Sequence, residues 1–287
     1  MASYKTLVIE NIFRERFDPI TKTLTTSVVT LVDVSRAIGI YNEKAGKKHS
    51  TNNPANFFKD LVRVRIPGNA NWPKFVLESG YTARQVTEDN ACFEFIPLPA
   101  GQTEAFPPVD FAQPSSTTPK YQIESVSLPL ASRRLGRKDE PWLIQVITRL
   151  RIVESHFSLS SGRAIKQLDL LQMNVKLSGT EIDALFLAQE EVAPGEFQEI
   201  IITCEAKAGR DDILENQILR QAKAPFKMKQ ITQDHVIPLA VKCVAASQIF
   251  VVEFQEIERE NYETIESLTV ASDSLFEIKP PVPGICQ

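Results

Sequence analysis

The sequence predicts a mixed α/β (α+β) protein in which a mixed β-sheet core is flanked by helices and preceded by a smaller N-terminal unit. Three observations carry this expectation. From residue 139 onward the hydrophobic periodicity reads helix, three strands, helix, two strands. Residues 1–110 read instead as helix, basic turn, helix and hairpin. Between them, Pro97 to Pro119 is thick in Pro, Ser and Thr, as in Pro114-Ser115-Ser116-Thr117-Thr118-Pro119, a composition suited to a loop or linker. The expected organisation is a recognition unit over 1–110, a basic connection over 111–138 and a second domain over 139–287, with no internal repeat in either unit.

In the first unit, Ser27 to Tyr41 places Val28, Leu31, Val32, Val34, Ala37 and Ile38 at helical spacing. The basic loop Glu43 to Ser50 follows. Asn52-Asn53-Pro54-Ala55-Asn56 then supplies an N-cap region with Pro in the first turn, opening a short helix with Phe57, Phe58, Leu61 and Val62 on one face. Tyr81 to Val86 and Cys92 to Ile96 read as strands across the polar turn Glu88-Asp89-Asn90. That order is the order of a winged helix-turn-helix, in which Lys44, Lys47, Lys48, Lys59 and Arg63 would neutralise phosphates and Asn52, Asn53 and Asn56 would reach base edges of DNA.

In the second unit, Asp139 caps a helix with Glu140 and Pro141 in its first turn and Leu143, Val146, Ile147 and Leu150 on its apolar face. Glu154 continues that face, an unusual place for a carboxylate that lacks a partner or a metal. Leu168 to Lys176, Glu181 to Gln189 and Ile200 to Lys207 read as strands, the last two joined by Ala193-Pro194-Gly195. Asp211 to Ala222 reads as a helix with Gln217 and Gln221 among its apolar residues. Val236 to Ala245 and Gln248 to Gln255 are strands rich in Val, Ile and Phe.

Composition sets the outer limits. With 287 residues, 43% hydrophobic and 24% charged, the chain suits one large domain or two small ones. No apolar run approaches a membrane span and Met-Ala-Ser-Tyr-Lys lacks the apolar segment of a signal peptide, so a cytoplasmic protein without a membrane partner is expected. Four dispersed cysteines with no C-x-x-C pair indicate neither a disulfide framework nor a zinc cluster. No G-x-x-x-x-G-K-[S/T] run is present, so no nucleotide cofactor is expected. The net charge of -4 is unevenly spread. Residues 1–138 hold 18 Lys+Arg against 13 Asp+Glu, and residues 139–287 hold 14 against 23, which gives +5 and -9. The Glu-rich run from Glu253 to Glu266 reads as a solvated face.

The chemistry lies in Glu181-Ile182-Asp183 on one strand and Thr203-Cys204-Glu205-Ala206-Lys207 at the end of the next, directly before a helix. Glu205 and Lys207 share one strand face, and Asp183 comes beside Glu205 through stagger or splay of the hairpin. Two carboxylates and an ammonium converging at a sheet edge suit a hard divalent cation. The triplet itself is weak, since Glu277-Ile278-Lys279 has the same pattern. That second copy runs into Pro280-Pro281 with no Ile-Asp hairpin before it, and it serves as an incidental control. The bland alternative for Glu205 and Lys207 is a surface ion pair on an edge strand, worth about 0.5 kcal/mol.

With these motifs in place, the segment from about Asp139 to Gln255 resembles the PD-(D/E)XK nuclease superfamily, to which many type II restriction endonucleases belong. Ile182 stands where the family name has proline. The resemblance implies a restriction-endonuclease-like core, Asp183 and Glu205 as Mg2+ ligands, and Lys207 as the lysine of the motif. It also implies Glu154 as an acidic residue from the first helix and Gln217 as an active-site or DNA-facing glutamine, with Gln221 at a comparable place. The activity implied is Mg2+-dependent hydrolysis of double-stranded DNA at a specific sequence by a homodimer in a prokaryotic cell. Two alternatives stand beside it: a non-catalytic winged-helix DNA-binding regulator, and a structure-specific repair nuclease with the same core.

Overall fold

The structure, a computed structural model, describes residues 3–52, 54–62, 71–86, 90–107, 110–134, 136, 139–208 and 212–285. The chain divides into two compact units, Met1–Pro108 and Val109–Gln287.

The first unit opens with helix α1 (Tyr4–Arg16), capped by Ser3, whose hydroxyl accepts the Thr6 N–H at 3.2 Å. Its stripe of Val8, Ile9, Ile12 and Phe13 is buried, but the helix is only weakly amphipathic, and its periodicity is correspondingly faint in the sequence. The short hairpin β1 (Phe17–Asp18) and β2 (Thr23–Leu24) follows, then β3 (Val28–Thr30) and α2 (Leu31–Ala45). The helix expected from Ser27 therefore starts later. Thr30 and Asp33 form a capping box, each side chain bonding the other's backbone N–H, which leaves Val28–Thr30 extended. Arg16 pairs with Asp33 at 2.7 Å and so ties the end of α1 to the start of α2, which ends at Gly46 in the left-handed region (φ 62°). Helices α3 (Phe57–Val62) and α4 (Lys74–Glu78) precede β4 (Tyr81–Gln85) and β5 (Ala91–Pro97). The antiparallel sheet order is β3-β5-β4, and it packs its aromatic face, with Phe93 and Phe95 buried, against Phe13, Phe58 and Trp72.

The second unit begins earlier than residue 139. Lys120–Glu124 forms strand β6 at one edge of its large sheet, so the stretch expected as a connection over 111–138 contributes to the fold. Helices α5 (Leu130–Arg134), α6 (Glu140–Arg149) and α7 (Ile152–Leu159) follow. Asp139 caps α6 by accepting the Trp142 N–H at 3.1 Å. The strands β7 (Ile165–Leu177), β8 (Thr180–Ala193) and β9 (Glu196–Lys207) form a meander. Gly195 takes φ 79° in the Pro194-Gly195 turn between β8 and β9, a backbone conformation that residues with a Cβ rarely adopt. Helix α8 (Glu215–Lys223) then leads to β10 (His235–Ala245), β11 (Gln248–Phe254), β12 (Ile257–Glu258) and β13 (Val270–Lys279).

The sheet is mixed, in the order β6-β13-β11-β10-β9-β8-β7 with β12 beside β10, and among the described residues only the β9–β10 and β6–β13 pairs are parallel. One face packs Ala184, Phe186, Ile200, Ile202, Cys204, Leu239 and Val241 against Leu143, Val146 and Ile147 of α6 and Val153 and Phe157 of α7. The other carries Ile201, Val236, Ala240 and Val252 and is covered by Ile218, Leu219 and Ala222 of α8. Burial of Ile200, Ile201 and Ile202 on both faces marks β9 as a central strand.

Two expectations change here. The Glu-rich run is only partly a solvated face: Glu253 is buried, accepting bonds from Ser272 at 2.7 Å and standing 3.3 Å from His156 Nε2. His156 in turn meets Ser274 at 2.7 Å, which closes a buried polar network. Cys243 is disulfide-bonded, a bridge that the spacing did not indicate, whereas Cys92 and Cys204 are free and buried. Among the described residues no helix is long and apolar enough to cross a membrane.

Candidate active site

The β8–β9 register fixes the first relation. Its ladder runs to Ala184 opposite Cys204, and one more step along both strands leads to Asp183 and Glu205. No stagger is needed. Past the end of the ladder the Asp183 carboxylate accepts the Ala206 N–H at 2.8 Å, so the side chain takes up a donor on the neighbouring strand. Burial, then the charge of Glu205, push the Asp183 carboxyl up to about 7, against the pull of the Ala206 bond and of Lys207. A carboxylate whose proton affinity is raised by a neighbouring carboxylate is what a divalent cation relieves.

Glu205 and Lys207 lie not at a sheet edge but near the end of a central strand. Glu205 is 0% exposed and Lys207 1%. Lys207 Nζ donates to Glu205 Oε1, and the Gln221 side-chain amide donates to Glu205 Oε2 and, at 3.0 Å, to the Glu181 carbonyl. These two acceptors orient the amide and leave Gln221 Oε1 buried without a hydrogen-bond partner. The bland alternative therefore fails on geometry, and its control sharpens the contrast. Glu277 and Lys279 also pair, at 3.2 Å, but with side chains each 49% exposed.

The residues expected from the helices are placed differently. Arg151, in the left-handed region at φ 53°, separates α6 from α7, so Glu154 does not continue the α6 face. Burial raises the Glu154 carboxyl, Arg151 opposes the shift and Asp169 of β7 adds to it. Neither Asp183 nor Glu205 figures among its charged neighbours. The acidic residue whose charge does reach Asp183 is Glu140, in the first turn of α6. It entered the sequence reading only as part of a helix start. Gln217, half-buried on α8, lies one turn before Gln221, the glutamine that reaches Glu205. The spacing of four on one helical face was the signal that joined the two.

In the N-terminal unit, Lys44, Lys47 and Lys48 are exposed around the end of α2, and Asn52 and Asn56 are exposed before α3. Lys59 belongs to α3, and its side chain, like Asn53 and Arg63, lies outside the described residues. Among the described residues, a group that could hold a metal ion is His235, Glu256 and Glu258, with one ligand atom from each within 4.8 Å of the others. It sits where β10 starts, at the end opposite Lys242 and Lys207, and shares no residue with the Asp183 and Glu205 site. Comparison with protein-family models, curated proteins and solved structures finds no match to this chain.

Proposed function

We propose that this protein is a Mg2+-dependent endonuclease of the type II restriction kind, hydrolysing phosphodiester bonds in double-stranded DNA at a specific sequence. The observation that carries the reading is the buried Glu205–Lys207–Gln221 group with Asp183 beside it, on a central strand and walled by α8. Burying an ion pair gains little stability over packing apolar residues of the same volume, so its presence here favours a chemical role. Mg2+ fits the donor set: two mutually repelling carboxylates, plus the orphaned Gln221 oxygen, which would accept a hydrogen bond from a metal-held water. Asp183 and Glu205 would hold the ion, which supplies a water acidified toward hydroxide and offsets charge on the phosphate.

The chain's own residues do the positioning. The Ala206 N–H fixes the Asp183 carboxylate, while Gln221 and Lys207 fix one oxygen each of Glu205. Lys207 Nζ carries further donor hydrogens, one of which orients the attacking water or meets a phosphate oxygen. Hydrolysis forms a bond from water oxygen to phosphorus and breaks one P–O ester bond, the departing oxygen leaving as a sugar hydroxyl that takes up a proton in place of the one the water loses.

The N-terminal unit supports a recognition role through its element order, α1, the β1–β2 hairpin, β3, α2, α3, α4, then β4 and β5 in a β3-β5-β4 sheet, which suits a winged helix with exposed lysines beside α2. A homodimer would bring one centre to each DNA strand and match a palindromic site. The test is digestion of varied phage and plasmid DNA with Mg2+ by the wild type and Lys207→Ala. Discrete fragments from the wild type alone support the proposal. Intact DNA throughout, or equal cutting by both, overturns it.

A further inference from the structure

Two more cations lie by this site, and the roles above do not use them. In the parallel β9–β10 ladder Lys242 stands opposite Lys207, and Ala240 opposite Glu205. The two lysine stems therefore rise from one sheet face, on strands about 4.8 Å apart. The Lys242 side chain is 4% exposed, and its ammonium meets Asp212 Oδ1 at 3.1 Å, although Asp212 is itself 65% exposed. Arg220, on α8 beside Gln221, is half-buried, with its Nε and Nη1 atoms buried and lacking hydrogen-bond partners. The charge of Glu205 is felt at Arg220.

A buried ammonium is costly, and an apolar residue would fill this place in β10 without that cost. A solvated carboxylate compensates it weakly, and Arg220 has the charge of Glu205 nearby but no acceptor for its buried Nε and Nη1. Lys207, Lys242 and Arg220 are matched in number by Glu205, Asp183 and Asp212, but Asp212 is solvent-exposed and the buried Arg220 Nε and Nη1 have no acceptor. The missing ligand is an anion with several acceptor oxygens.

We propose that Lys242 and Arg220 bind a phosphate of the DNA backbone at this site, and that Asp212 occupies on Lys242 the place this phosphate takes. The inference rests on the nuclease reading and extends it by naming two substrate-binding residues. Lys242 reaches the phosphate as a point charge and Arg220 as a donor fork. Asp212, being exposed, swings into water as the phosphate arrives.

The test measures duplex DNA binding by the full chain in Ca2+, which holds DNA without supporting cleavage, across a series of salt concentrations, together with cleavage in Mg2+. For Lys242→Met, which keeps the packing of the stem, the dissociation constant is expected to rise about tenfold and the salt slope to fall by about 1. Lys242→Arg restores binding, Asp212→Asn tightens it, and Arg220→Gln weakens it. In Mg2+ the Lys242→Met enzyme shows a raised KM. A wild type that cuts DNA while Lys242→Met binds and cuts identically overturns this inference and leaves the nuclease reading standing. A wild type that neither binds nor cuts overturns both.

Discussion

Asp183→Asn should make the protein more stable, and increasingly so as pH rises. The substitution keeps an oxygen for the Ala206 N–H and removes a charge from a half-buried position beside Glu205, Lys207 and Glu140. In the unfolded chain Asp183 ionises near its ordinary 3.8, whereas in the folded protein it does so at about 7. Between these values the folded state holds a proton that the unfolded state has released, so stability falls as pH rises from about 4 to 7 and is level above. At pH 8 the accumulated cost reaches at most about 4 kcal/mol, and about 2.5 kcal/mol of it builds up between pH 5 and pH 8. Thermal or urea unfolding of both proteins across that range reads the difference directly, with about 2 to 4 °C in Tm expected per kcal/mol. Millimolar Mg2+ should narrow the gap by stabilising the wild type, and His235→Ala, which alters the other metal-capable cluster, should leave that response intact. Parallel stability curves from pH 5 to 8, or an Asn variant less stable at pH 8, would refute the reasoning.

Other outcomes follow from the same contacts. Gln221→Leu strips one donor from buried Glu205 and should cost about 1 to 3 kcal/mol in urea titration, along with loss of cleavage. His156→Ala leaves Glu253 and Ser274 buried without the imidazole between them and should lower stability by about 3 to 5 kcal/mol, an effect that equilibrium unfolding will measure. Lys279→Ala removes an exposed pairing and should change stability by no more than about 0.5 kcal/mol, with cleavage unaltered, unlike Lys207→Ala. Lys47→Ala and Lys48→Ala should each lower the salt slope of DNA binding by about 1 without moving Tm.

The centre of the second unit was readable because its signals are local. Ile200-Ile201-Ile202 announces a strand covered on both faces, and Pro194-Gly195 fixes the hairpin that brings Asp183 to Glu205. Two identical triplets could not be ranked by pattern alone. Burial separates them, and burial is a tertiary property that depends on β10 and α8 covering β9. Glu154 misled because periodicity carries no mark of the break at Arg151, where a non-glycine residue takes a left-handed conformation. Glu140 was hidden in plain view, since an acidic residue in a helix's first turn already has a local explanation. Strands β6 and β13 went unread for a related reason. β6 lies at the sheet edge with none of its residues buried, and β6 and β13 pair with each other across more than a hundred residues of sequence. Lys242 drew no notice because a lysine between Val241 and Cys243 looks like the solvent side of an ordinary strand, and only the register with Lys207 reveals otherwise.

The most direct measurement is the conversion of supercoiled plasmid to defined linear products by the wild type in Mg2+, set beside Glu205→Gln under identical conditions and with DNA binding measured for both in Ca2+. The account predicts discrete products from the wild type, none without a divalent cation, and none from Glu205→Gln although it still binds DNA. Cutting that persists in Glu205→Gln, or that proceeds in the presence of a chelator, would contradict it.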